Sequence, residues 1–180
     1  MMMMTKYEII ENYLNEILPN PKCELNYQND YTLLISIVLS AQTTDKRVNA
    51  VTKILFNKYP NLELLSKAPI DSIKEIIRPL GNFNKKAIYV HEIANKLHTE
   101  YNDTVPISDD ILLTFPGVGR KTVNVFLAEF KGLPRIAVDT HVLRVSHRLG
   151  LSKKNDGPLE VETILCKHFN KKIWARLHLQ

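Results

Sequence analysis

The sequence predicts an all-α protein, and three observations carry that prediction. Apolar residues recur at helical spacing along most of the chain, beginning with Tyr7, Ile10, Leu14 and Ile17. Prolines and glycines break the period at Pro19-Asn-Pro21, Pro79-Leu-Gly81 and Pro116-Gly117, where a helix cannot continue. Two helical runs are joined by a glycine turn within Phe115-Pro-Gly-Val-Gly-Arg-Lys-Thr122.

The first helix face ends at Pro19-Asn-Pro21, whose prolines enforce an extended connection. Tyr31 to Leu39 is apolar on nearly every side, as in a helix at the centre of a bundle. Over so short a run the period also admits a buried strand. Ser40-Ala-Gln-Thr-Thr-Asp45 interrupts the pattern with small and polar residues. The next helix carries Val48, Val51, Leu55 and Tyr59 on one face, with Thr44 placed to cap it and Asp45 suited to its first turn. Asp71 to Arg78 forms a short helix, and Asn84 leads into another with Ala87, Val90, Ala94 and Leu97 inward. Lys85 and Lys86 open that helix and read as a solvated pair in preference to a phosphate contact.

Ser108-Asp109-Asp110 caps a short helix that ends at Ile111-Leu-Leu-Thr114, and Pro116 stops it. Gly117 and Gly119 flank Val118, so the turn can use unusual backbone angles and approach a ligand with no side chain in the way. The following helix places Val123, Phe126, Leu127 and Phe130 on one face. Its first-turn amides lack helical partners and point outward, where the dipole favours an anion, so the turn is a phosphate seat. Known nucleotide loops do not fit. A Walker loop needs glycine where Arg120 stands, and the dinucleotide fingerprint needs one where Thr122 stands.

Lys121 lies just inside the helix, where the macrodipole disfavours a cation and partial burial would favour the neutral amine further. That suits an amine nucleophile, but spacing alone favours the commoner phosphate-binding or solvated lysine, since perturbed lysines are the exception. Asp139 opens the run Val142, Val145 and Leu149 and reads first as an ordinary N-cap, which can still point into a cleft. His141 reads as a hydrogen-bonded structural histidine, since no second ligand stands at metal-binding spacing. Ile164, Cys166 and Trp174 suggest one or two more core-facing helices.

A chain of 180 residues can form one compact fold or two small lobes. A net charge of +5 permits a nucleic-acid partner without requiring one. Cys23 and Cys166 are too few for a disulfide framework and lie at no zinc spacing, which points to a reducing cytoplasm. The Met1 to Met4 run lacks a signal-peptide pattern, and the apolar stretch Leu33 to Leu39 is far too short to span a bilayer, so no membrane partner is expected.

Three blocks then carry a specific resemblance: Leu39-Ser-Ala-Gln-Thr-Thr-Asp45, the hairpin Phe115 to Thr122, and Ile136-Ala-Val-Asp-Thr-His-Val142 with Arg144-Val145. From about Glu24 to Leu179 the chain resembles the endonuclease III family of helix-hairpin-helix DNA glycosylases. The resemblance implies two helical lobes with a DNA-binding cleft between them: residues 24–131 with the hairpin, and residues 1–23 plus 132–180. It implies a monomeric DNA glycosylase with associated AP lyase activity that removes oxidised pyrimidines from damaged duplex DNA, in the cytoplasm or on a bacterial nucleoid. In it Lys121 is the Schiff-base nucleophile, Asp139 the catalytic carboxylate, and Gln42 the residue that fills the gap left by the flipped base. Gly117, Val118, Gly119, Arg120, Thr122, His141 and Arg144 contact DNA by the same likeness.

The departures from the family pattern matter too. The family often has a large apolar wedge where Asn82 stands, with Phe83 the substitute here, and alanine where Val123 stands. Its members usually continue through a four-cysteine loop that holds a [4Fe-4S] cluster, and this sequence has no cysteine after Cys166. The expectation is therefore a truncated or cluster-less variant, whose chemistry needs no metal and whose hairpin carbonyls take at most a monovalent cation. The alternative is a non-catalytic DNA-binding hairpin protein with an incomplete C-terminal lobe. Adenine-removing relatives lack the lysine, so Lys121 separates this chain from them.

Overall fold

The computed structural model describes residues 4–180, so Met1 to Met3 of the methionine run and of the expected 1–23 segment lie outside it. The described residues form eleven α-helices and no strand. In order these are α1 (Lys6–Ile17), α2 (Asp30–Leu39), α3 (Asp45–Lys58), α4 (Leu62–Ser66), α5 (Ile70–Ile77), α6 (Phe83–Glu100), α7 (Asp109–Leu112), α8 (Arg120–Lys131), α9 (Thr140–Arg148), α10 (Pro158–His168) and α11 (Trp174–Leu177), the last preceded by a 3-10 turn at Lys171–Ile173. The backbone divides into two compact units, Glu24–Phe126 and the N-terminal segment through Cys23 with Leu127–Gln180.

In the Glu24–Phe126 unit the uniformly apolar run is a helix, not a strand. Every residue from Tyr31 to Leu39 in α2 is buried. Asn29 and Thr32 start it reciprocally, each side chain accepting from the other's amide. Asp30 Oδ2 also accepts from the Val105 amide at 2.8 Å, fixing the helix N-terminus to a distant loop. The helices α3 and α6 pack on α2, while α4 and α5 pack on α6. Side chains such as Leu33, Leu34, Ile35 and Leu39, all fully buried, contribute roughly 1.5–3 kcal/mol each. Val48, Val51 and Leu55 of α3 are buried as their spacing predicts, as are Ala87, Val90, Ala94 and Leu97 of α6.

The second unit is built on Ile136, Val138, Leu151, Val161, Leu165, Phe169 and Ile173. Tyr7 of α1 stacks on His168 at 4.2 Å between ring centroids and meets Phe169 edge-on, so the start of α1 is held against α10. Two expectations need correction here. Ile17 is 54% exposed, because the far end of α1 meets Gln180, which donates to the Leu18 carbonyl, rather than an apolar surface. In α9 the inward direction runs through Val142, Leu143 and the buried Ser146, which leaves Val145 and Leu149 nearly half exposed. A small residue at the contact lets the helix sit close, and the wider apolar residues turn away.

Candidate active site

The hairpin is set by short-range bonds. Ser108 caps α7, the Val118 amide donates to the Phe115 carbonyl at 3.1 Å to close the turn, and the Val123 amide donates to the Gly119 carbonyl at 3.0 Å to begin α8. The two glycines serve different ends. Gly117 has φ +75°, and a Cβ there would lie 2.5 Å from Tyr89 Cδ2. Gly119 is not left-handed, and a Cβ there would meet nothing within 4 Å. Only Gly117 is needed for the backbone conformation, and at Gly119 the place a Cβ would take is open space. Val118 and Thr122 are buried, so they offer a ligand backbone rather than side chain. Arg120 and Lys121 are exposed.

Lys121 is thus solvent-facing rather than partly buried, and its electrostatic neighbour is a carboxyl group. Asp45, the first residue of α3, is half-buried. Burial raises its pKa above the usual carboxylate range, the nearby Glu24 raises it further, and the Lys121 ammonium pulls it back down. Sequence reading placed Asp45 only as a first-turn residue and gave Glu24 no role. The signal for Asp45 was its place at the end of the Leu39 to Asp45 block. Thr44 occupies the N-cap position of α3 but makes no side-chain cap; only its carbonyl engages the helix start, accepting from the Arg47 and Val48 amides.

Asp139 is the N-cap of α9, as its position suggests. Its Oδ1 accepts from the His141 and Val142 amides at 2.9 and 2.8 Å, and among the described residues its second oxygen accepts no hydrogen bond. His141 Nδ1 and the Arg144 guanidinium are 3.0 Å apart on the exposed side of the same helix.

Gln42 and Asn82 share an unusual feature: both have φ +56°, left-handed for residues other than glycine. Each such conformation costs on the order of 1–3 kcal/mol and persists only where the surroundings enforce it. Both side chains are exposed, while Phe83 is half-buried. The Lys85–Lys86 pair is not a solvated face. Lys85 is exposed over the Tyr89 ring, but Lys86 is only 5% exposed, and its ammonium donates to the Ala41 carbonyl at 2.8 Å and to Thr43 Oγ1 at 3.1 Å. Desolvation pushes its pKa below the usual lysine value. Residue 86 falls on the inward side of α6 with Ala87 and Val90, which the exposed-pair reading overlooked.

A [4Fe-4S] cluster needs four thiolates, and the 180 residues contain two cysteines. Among the described residues no three His, Cys, Asp or Glu side chains are grouped to hold a metal. The residues present do not fit the cluster. A cavity of about 300 Å³ in the second unit, lined by Arg135, Glu162, Cys166 and Trp174 among others, includes none of the residues above.

The chain matches the family of HhH-GPD superfamily base excision DNA repair proteins over residues 35–171. It is 38% identical to endonuclease III of Bacillus subtilis over 178 residues, covering 99% of this chain and 81% of that protein. It is 43% identical to endonuclease III of Rickettsia felis over 160 residues, covering 89% and 75%. Its fold is similar to that of a trapped endonuclease III–DNA covalent intermediate, an estranged-adenine complex, with a TM-score of 0.91 and 42% identity over 98% of this chain and 84% of that one. The fold alone is shared with the H. pylori 3-methyladenine DNA glycosylase MagIII, with a TM-score of 0.78 at 17% identity over 98% of this chain and 94% of that one.

Proposed function

The chain belongs to the HhH-GPD superfamily of base excision DNA repair proteins, and from that premise we propose how its residues act on DNA. It is a DNA glycosylase with AP lyase activity, and its partner is damaged duplex DNA. In our reading the hairpin amides and the open space before Gly119 seat a phosphate, with Arg120, His141 and Arg144 adding contacts along the backbone. The damaged base, an oxidised pyrimidine, leaves the stack where pairing is weakest, and Gln42 occupies the gap with Asn82 and Phe83 beside it.

Having released its ammonium proton to water, Lys121 attacks C1′ of the exposed deoxyribose through the free amine. The N–C1′ bond forms as the glycosidic bond breaks, and the base departs with a proton. The sugar ring opens to an imine, which acidifies the C2′ hydrogen. Loss of that proton expels the 3′ phosphate by β-elimination. Asp139 uses one oxygen to cap α9 and has the other open, so it can offset positive charge at the sugar and take part in these proton transfers. The amine lone pair forms the N–C1′ bond and the C2′–H pair later expels the phosphate, with no external oxidant or reductant, so this route needs no redox group. A monovalent cation at the hairpin carbonyls would serve only to seat the DNA backbone. The reading places the protein in the cytoplasm; among the described residues no helix is long and apolar enough to cross a membrane.

The observation that carries this reading is the exposed Lys121 amine in the first turn of α8, close enough to Asp45 to perturb that carboxyl group. Borohydride reduction with an abasic duplex oligonucleotide tests it. Wild-type protein is expected to become covalently linked, and Lys121→Gln to bind the duplex within about threefold of wild type without linking, since a neutral side chain of similar size keeps most of the contact surface. Binding by wild type with no adduct would leave only a DNA-holding hairpin, and an adduct with Lys121→Gln would move the nucleophile elsewhere.

A further inference from the structure

The buried ammonium of Lys86 is not used by the chemistry above. It sits on the inward side of α6, 5% exposed, and no carboxylate pairs with it among the described residues. Its two acceptors are the Ala41 carbonyl and Thr43 Oγ1, and the residue between them is Gln42. The Thr43 hydroxyl also reaches the Ala41 carbonyl, at 3.4 Å, so ammonium, hydroxyl and carbonyl close a small ring over the left-handed residue. The same lysine's amide donates at 3.1 Å to the carbonyl of Asn82, the second left-handed residue near the site.

We propose that Lys86 is a positioning residue for base flipping: by fixing Ala41 and Thr43 on either side of Gln42, it holds the gap-filling loop ready before DNA arrives. The inference rests on the assignment of Gln42 above and extends it to a residue that touches neither base nor sugar.

Holding the Ala41 carbonyl fixes the peptide plane that enters Gln42; the plane that leaves it is held by the Thr43 amide, which donates to the Ser40 carbonyl at 3.0 Å, and the bond from Lys86 to the Thr43 hydroxyl braces the same turn from its side-chain end. The Ser40–Thr43 turn is closed by that one backbone hydrogen bond around a non-glycine residue at φ +56°, so without the added grip of Lys86 this exposed loop relaxes more readily toward right-handed or extended conformations. Lysine suits the task, since its long stem spans from a buried helix face and its head donates several hydrogen bonds at once. A pre-set loop reduces the ordering that binding must otherwise supply. The helix also links the loop to the hairpin. Tyr89, one turn on, walls the Cβ position of Gly117, and Lys96 Nζ donates to Thr114 Oγ1 at 2.7 Å while covering the Phe115 ring. From Lys86 to Lys96 is about 15 Å of helix, which fixes the spacing between these two parts of the site.

The test compares wild type, Lys86→Met, Thr43→Val and Gln42→Ala. One substrate is an abasic site in a duplex, where a gap must be filled; the other is the same strand alone, where none exists. In Lys86→Met the borohydride trapping rate on the duplex is expected to fall about tenfold and on the single strand less than twofold. Thr43→Val, which removes one acceptor without touching the buried position, is expected to lower the ratio of duplex to single-strand rates at least threefold. In the Gln42→Ala background Lys86→Met is expected to add less than twofold. A 2-aminopurine opposite a non-cleavable abasic analogue reports insertion without any covalent step, and its fluorescence response is expected to drop by half or more in both Lys86→Met and Thr43→Val. Wild-type ratios and an unchanged fluorescence response in Lys86→Met and Thr43→Val overturn the proposal, as does a full Lys86→Met effect on top of Gln42→Ala. Should Lys86→Met fail to fold, Thr43→Val decides alone. Should wild type itself form no adduct, the imine mechanism falls, while the fluorescence response still decides the role of Lys86.

Discussion

Gly117 and Gly119 lie two residues apart and answer to different constraints, and substitution separates them. Alanine at 117 has to hold φ +75° and also displace the Tyr89 ring from 2.5 Å, so Gly117→Ala is expected to lose about 2–4 kcal/mol in chemical denaturation. Alanine at 119 meets nothing and needs no left-handed backbone, so Gly119→Ala should unfold within about 0.5 kcal/mol of wild type. Its added methyl projects where the phosphate is proposed to sit, and binding to an abasic duplex is expected to weaken about tenfold, roughly 1.4 kcal/mol. Asp45 gives a residue-level prediction in pH. Its native pKa is raised, chiefly by burial, so between its unfolded and folded pKa values the native state binds more protons than the unfolded one. Stability from this group is therefore greatest below the unfolded pKa, falls as pH rises through that window, and stays low above the folded pKa. Asp45→Asn removes the penalty. Its melting temperature is expected to exceed wild type at pH 7 by at most about 2 °C, given the group's partial exposure, with the gain shrinking towards pH 4.

At the scale of helices, α9 shows how one residue can serve two purposes. Asp139 caps the helix with one oxygen, and the other has no partner among the described residues. Asp139→Ala is expected to lose about 1 kcal/mol, seen as a fall of about 2–4 °C in melting temperature. Asp139→Asn keeps an acceptor for the same amides and should melt like wild type. Both should remove bases at least about 100-fold more slowly if the charge is needed, and a slow but cap-competent Asn variant separates chemistry from stability. The same helix shows where sequence stops being informative. Its cap and start were legible because a short acceptor before an amphipathic run has a local cause, whereas α2 was legible only as a buried element, since periodicity over nine residues does not separate a helix from a buried strand. The inward direction of α9 was not, since Ser146 faces the core while Val145 does not, a choice made by the neighbouring helix. Lys86 was misread for the same reason: a lysine at a helix start is usually solvated, and only the Ala41 and Thr43 acceptors, more than forty residues earlier, make burial tolerable. Of the site, the hairpin turn and the capping position of Asp139 followed from local pattern, the roles of Lys121 and Asp139 came only with the family resemblance, and the neighbourhood of Asp45, Glu24 and Lys121 depends on contacts that no spacing reveals.

For the whole molecule the open physical question is whether its net charge of +5 or a few placed cations govern the hold on DNA. At physiological salt the field of an exposed charge fades within about 8 Å, so cations away from the bound backbone contribute little. Each cation that displaces a condensed counterion from a phosphate instead adds about −0.9 to the slope of log affinity against log salt. Arg144 is exposed beside His141 on α9 and is proposed to meet the backbone, while Lys67 is already matched by Glu63 at 2.7 Å. Both substitutions to alanine lower the net charge by one, so a diffuse attraction treats them alike. Placed contacts do not. Arg144→Ala is expected to make the slope for an abasic duplex shallower by about 0.9, with borohydride trapping retained at saturating protein, and Lys67→Ala to leave the slope as in wild type. Binding titrations from 50 to 200 mM salt decide between the two: equal slopes for the variants would assign the grip to overall charge, and a change confined to Arg144→Ala would assign it to the exposed face of α9.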